Sequence, residues 1–190
     1  MPGINFNIYK QDGILQLLAQ NKLKAFIAIV IFAPIAEEMM FRTLIKPRHI
    51  DIVLFMAVWP VFFLLRFVPI DVYWVVKLIF TAVFLFSVTY IGKQLIPEEQ
   101  TESVRYWLNK FNIPVLVVTS LIFGFVHINN YVEEFTVNLV LFLLIFPRIL
   151  AGFMLGWIKL KNKNLVWSMA LHAMNNGFAF IFIIIFNKGI

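Results

Sequence analysis

The sequence contains no cysteine, which excludes disulfide staples and thiolate metal sites. It is also poor in charge. Only 14% of its 190 residues are Asp, Glu, Lys or Arg, and 62% are hydrophobic. A soluble domain is about half apolar and about a quarter charged, so this chain lacks the polar residues needed to cover a soluble core. No H-E-x-x-H zinc pattern occurs. There is no internal repeat, no low-complexity segment and no basic patch with base-stacking aromatics, so nucleic acid is not an expected partner. The first residues, "MPGINFNIYKQDGILQLLAQNKLK", do not form a basic leader with an apolar core and a small-residue cleavage site. They suggest a short amphipathic segment lying on a membrane surface.

What is present is grease in long runs. Mean hydropathy is +0.88, and 22 phenylalanines suit packing and lipid-facing surfaces. A spanning helix needs about 20 mainly apolar residues. Unbroken runs of that kind predict an all-α, polytopic transmembrane bundle in a single domain, 1–190, with six spans and an interfacial N-terminal helix. The expected spans are 23–45, 50–68, 72–96, 113–128, 135–160 and 165–186. A closed β-barrel would instead show short alternating segments. "VPID" is expected to be a tight connection, and "PEEQTESVRYWLNKFN", 97–112, an exposed loop with an interfacial helical turn. The net charge of +6 then belongs to loops and span ends. Lys46, Arg48, Lys93, Arg105, Lys110, Lys159, Lys161 and Lys163 outnumber Lys10, Lys22, Lys24, Arg66 and Lys188 on the opposite side. That excess predicts odd-numbered loops in the cytoplasm. The protein is expected in a bacterial cell membrane, with the lipid bilayer as its first partner.

Charges and strong polar groups inside such spans are costly, and they are usually functional or paired. The set here is Glu37, Glu38, Arg42, His127, His172, Asn175 and Asn176. Glu38 and Arg42 stand at i and i+4, acid first, which favours an ion pair. Glu37 is rotated about 100° from Glu38 and has no base at i+4, where Phe41 stands. One carboxylate can therefore be neutralised structurally while the other is left for chemistry. A purely structural triad, with both glutamates sharing Arg42, is as good a reading of these residues alone. His127 shares a helix face with Phe123, and His172 with Asn176; Asn175 turns away. Either pair could simply join helices by hydrogen bonds, and Gly152, Gly156 and Gly177 point to close packing. Ser120 and Ser168 have no obvious base, and His49 in "KPRHID" is expected to be solvated.

Taken together, one buried acid, two imidazoles and an amide on separate spans make a hydrolytic set. A zinc site using Glu37, His127 and His172 is a variant of that idea. A proton-coupled transporter is a further alternative, since buried Glu and His serve proton relays, although no inverted repeat is visible. Helical rise puts Glu37 and His172 roughly 10 Å from the cytoplasmic side and His127 about 20 Å. Convergence thus requires a tilt, a later start or a break near Pro34.

In order, "EEMMFR", "FGFVH" and "HAMNN" resemble the EExxxR, FxxxH and HxxxN motifs of the CPBP family. That family holds CAAX prenyl proteases of the Rce1 type and bacterial proteins linked to bacteriocin processing and self-immunity. The resemblance covers about residues 30 to 50 and 113 to 180. It implies an intramembrane glutamic endopeptidase with no cofactor and no catalytic metal, acting on a prenylated or hydrophobic peptide near the cytoplasmic face. By position, Glu37 matches the water-activating glutamate and His127 its partner. His172 and Asn176 match the oxyanion pair, and Glu38 and Arg42 the supporting acid and base. Residues 50 to 111 form an insertion of two spans between the first and second motifs. The alternative is a non-catalytic membrane scaffold or a bacteriocin self-immunity protein that keeps these residues for packing.

Overall fold

A computed structural model describes residues 12–64, 72–132 and 138–186. The chain before residue 12, the "VPID" connection and the acidic end of "NNYVEE" lie outside the described residues. Within them every regular element is helical. The first, α1, is Asp12–Gln20, followed by α2, Lys22–Phe26. A π-helical segment, Ile27–Phe32, leads directly into α3, Ala33–Phe41. Next come α4, His49–Leu64, α5, Trp74–Leu95, and α6, Glu98–Lys110. The last three are α7, Asn112–Val126, α8, Leu139–Asn162, and α9, Leu165–Phe186, with a 3₁₀ turn at His127–Asn130 after α7.

Among the described residues three helices, α5, α8 and α9, are long and apolar enough to cross a membrane. A fourth span arises if α6 and α7 count as one, but they meet at a bend of 87°. The protein is thus an all-α integral membrane protein, while the expected count of six spans is not reached by these helices. Two physical features account for the difference. The stretch expected as span one is continuous from Lys22 to Phe41 but divided by the π segment. The helix in the second is described for 16 residues, ending at Leu64. "PEEQTESVRYWLNKFN" is also more ordered than a loop: most of it is the 13-residue helix α6.

The π segment has a local cause in Pro34. Proline has no N–H and crowds the carbonyl one turn back, so a helix must open there. The Ala33 N–H reaches back to the Ala28 carbonyl, five residues away. In the same wide register the Ile29 carbonyl would need a donor at position 34, which proline lacks. That orphaned carbonyl is met from another helix, as described below.

The core is narrow, and α5 shows why. Val76, Ile79, Phe80, Val83 and Phe86 are all exposed, as lipid-facing side chains are. Burial concentrates where α3 meets α4 and α7, around Met39, Met40, Phe41, Val58 and Phe123. A second cluster, Leu18, Ala25, Val30 and Phe180, docks α1 against α2 and α9. Small residues set the closeness of α7 and α8. A Cβ on Gly152 would lie 3.1 Å from Phe123, 3.3 Å from the Ser120 Cα and 3.3 Å from Arg42 Nη2. Gly156 is packed equally hard against Leu116 and Ile45, whereas Gly177 meets Val30 only at an ordinary 3.5 Å.

Two expectations about polar residues are corrected. Lys159, counted among the loop cations, is fully buried. Its Nζ donates to Asp51 Oδ2 at 3.0 Å and to the Lys163 carbonyl at 3.4 Å. Asp51 also accepts from the Arg48 N–H at 3.0 Å, so this group ties the start of α4 to the end of α8. α8 continues past Lys159 to Asn162, which carries the lysine inside. His49 is half-buried rather than free in solvent, with Nδ1 3.0 Å from Thr101 Oγ1 of α6.

Candidate active site

Glu37 and Glu38 are consecutive on α3, and the helix turns them to different neighbours. Glu38 is fully buried. Its Oε1 accepts from His172 Nδ1 of α9 at 3.0 Å, and its Oε2 lies 3.6 Å from Arg42 Nε. The latter is ion-pair distance but beyond a hydrogen bond. The Arg42 guanidinium is fully buried and makes no hydrogen bond with a protein group among the described residues. It rests 4.7 Å above the Phe123 ring, a cation–π contact.

Glu37 turns elsewhere and is 26% exposed at the side chain. Its Oε2 lies 3.7 Å from His127 Nε2 and 3.7 Å from His172 Nε2. Both imidazoles are fixed from behind. His127 Nδ1 contacts the Phe123 carbonyl at 2.6 Å, the backbone group one turn back in α7. His172 Nδ1 is held by Glu38. Phe123 packs against both rings, with centroids 4.7 Å from His127 and 5.8 Å from His172. Each Nδ1–H is committed as a donor, so each Nε2 is aimed at Glu37.

Asn176 shares a face of α9 with His172, and its Nδ2 donates 2.9 Å to the Ile29 carbonyl, the one orphaned by Pro34. One amide hydrogen remains. Asn175 points outward and is exposed. Ser120 and Ser168 donate to carbonyls of their own helices, Leu116 at 2.6 Å and Leu165 at 2.9 Å.

Glu37, Glu38, Arg42, His127 and His172 therefore come together, from α3, α9 and the turn after α7, despite their separation in sequence. The shared-Arg42 triad is not what forms: Glu38 faces Arg42, and Glu37 faces the imidazoles. Among the described residues no three His, Asp or Glu side chains are grouped as metal ligands are. Sequence reasoning passed over Arg148. It is the single charge in the apolar run 139–158. The signal was there to find: an arginine inside a span marks a site by default.

The protein is thus a helical membrane protein in which a carboxylate and two imidazoles converge inside the bundle. A family model described as Type II CAAX prenyl endopeptidase Rce1-like matches residues 19–178, and the chain belongs to that Rce1-like family of CAAX-type intramembrane endopeptidases. No curated protein and no solved structure matches the chain.

Proposed function

We propose that this protein is an intramembrane glutamic endopeptidase that hydrolyses a peptide bond with water activated by Glu37 and His127. The substrate is a prenylated or hydrophobic peptide at the cytoplasmic face. The observation that carries the reading is the placement of Glu37 Oε2 3.7 Å from both His127 Nε2 and His172 Nε2. That separation is too long for direct hydrogen bonds, and the reaction would need a water held among the three groups. Such a water gives a proton to Glu37 while His127 Nε2 orients it, and the resulting hydroxide attacks the peptide carbonyl. In its imidazolium form His172 donates through Nδ1 to Glu38 and through Nε2 to the developing oxyanion. The remaining Asn176 N–H is the second donor, a role worth about 3–4 kcal/mol per group in other enzymes. Glu38 holds His172 in place, and Arg42 offsets part of the charge of the two adjacent carboxylates. Residues 50 to 111, the helices α4 to α6, are an addition to this single domain, and they support the site from one side.

A second reading is a non-catalytic scaffold or self-immunity protein. It is favoured by the Asn176 amide, half spent on a packing role. Purified protein incubated with prenylated CAAX-type peptides, with products read by mass spectrometry, decides between the two. Cleavage by wild type, lost in Glu37→Gln and His127→Ala with melting temperature retained, supports the peptidase. Absence of products, or cleavage unchanged in Glu37→Gln, overturns it.

A further inference from the structure

Arg148 is the one charged residue in the run 139–158, on a helix able to cross a membrane. A cation there is strongly disfavoured unless it meets an anion or faces a polar cavity. Its position on α8 says which. The buried stripe of that helix is Leu141, Ile145, Gly152, Leu155, Gly156 and Lys159. Spacings of three and four residues put position 148 in the gap of that stripe, on the inward face. The side chain is half-buried. Its neighbour Ile149 is packed against Gly124 of α7, less than one turn before His127. Gly152, one turn further on, is packed against Phe123 and Arg42.

Position 148 thus lies on the face of α8 turned toward α7, the helix that leads into His127. Among the described residues no carboxylate lies within ion-pair distance of its guanidinium, and the ion pairs of Glu37 are to the two histidines. Its planar fork of N–H donors is unspent on the protein, and that fork matches a carboxylate bidentately. The family description names a CAAX substrate, a sequence that ends the chain and so carries a free carboxylate a few residues past its cysteine. Three extended residues reach about 10 Å. A peptide with its scissile carbonyl at Glu37 therefore carries its carboxylate within about that reach.

We infer that Arg148 binds the C-terminal carboxylate of the peptide substrate and so determines specificity for a free chain end. This rests on the peptidase reading above for its substrate but not for its test, which measures binding. Full-length protein in phosphatidylcholine nanodiscs, where no anionic headgroup competes, is titrated with a fluorescent farnesyl-cysteine tetrapeptide ending in either an acid or an amide. Wild type and Glu37→Gln bind the acid at least about tenfold more tightly than the amide, as expected for a charge-assisted hydrogen bond. Arg148→Gln lowers the acid to the affinity of the amide, and Arg148→Lys falls between. Acid preference in a wild type that cleaves nothing removes the peptidase reading and leaves the Arg148 assignment standing. Equal binding of acid and amide by wild type, a preference that survives in Arg148→Gln, or equal loss of both ligands in both variants overturns it. A residue that merely neutralised Glu37 would leave the acid-to-amide ratio unchanged.

Discussion

His172 meets Glu38 across two helices, Nδ1 to Oε1 at 3.0 Å, while its other nitrogen faces Glu37 at 3.7 Å. One imidazole thus distinguishes two adjacent carboxylates. Glu38 is a buried anchor, and Glu37 is a partly exposed group. That asymmetry generates opposite expectations for the two glutamates.

On the proposed mechanism, Glu37→Gln removes the group that accepts the water proton. Cleavage of a prenylated peptide falls by at least about 10²-fold, the lower range for a general base. Stability changes little, because the carboxylate is partly exposed and its nearest partners are at 3.7 Å. Initial rates and thermal melting in detergent, measured on one preparation, check both halves.

Glu38→Gln behaves differently. It leaves the buried Arg42 guanidinium without its counter-charge and His172 without a charged acceptor. Breaking a buried pair from one side costs about 3–5 kcal/mol. The melting temperature drops well below that of Glu37→Gln. Adding Arg42→Met to Glu38→Gln recovers part of the loss, because no uncompensated buried charge then remains. A double-mutant cycle in melting free energy measures this, and strict additivity would rule out the coupling.

Asn176→Leu strands the Ile29 carbonyl that Pro34 has orphaned. Leaving a buried acceptor unpaired costs about 1–3 kcal/mol. Pro34→Ala restores an N–H at position 34 and reduces that cost. The two substitutions are therefore coupled although they stand on different helices. If Asn176→Leu destabilises equally with either residue at 34, the link is wrong.

Lys159→Ala leaves Asp51 buried with its charge met only by Arg48. A loss of about 3–5 kcal/mol is expected, with cleavage per folded molecule unchanged. Replacing both, as Asp51→Leu with Lys159→Met, restores most of the stability, since well-packed apolar pairs often replace buried ion pairs without loss. Melting curves and rates normalised to folded protein test it.

How much of this was legible in sequence varies by residue. Glu37, Glu38 and Arg42 were readable because helical spacing fixes which groups share a face over a single turn. Their relation to His127 and His172 was not, because helix–helix contacts bring together residues that no local period links. The π segment was half visible, as a break anticipated near Pro34, but the capture of Ile29 by Asn176 depends on where α9 passes. Lys159 and His49 were misplaced because a charge near a span end looks alike whether it meets headgroups or an internal partner.

By itself, the sequence determined that this chain is helical and dissolves in lipid, for its apolar runs leave the backbone no other way to satisfy its hydrogen bonds there. It also determined which few polar groups would be costly enough to need partners. Only the tertiary structure decided who the partners are. Glycines at 152 and 156 let helices approach closely, Pro34 opens a carbonyl to a neighbour, and Glu38 fixes His172 from behind. These are relations across space, and the energy of each depends on distances that a linear pattern of residues does not contain.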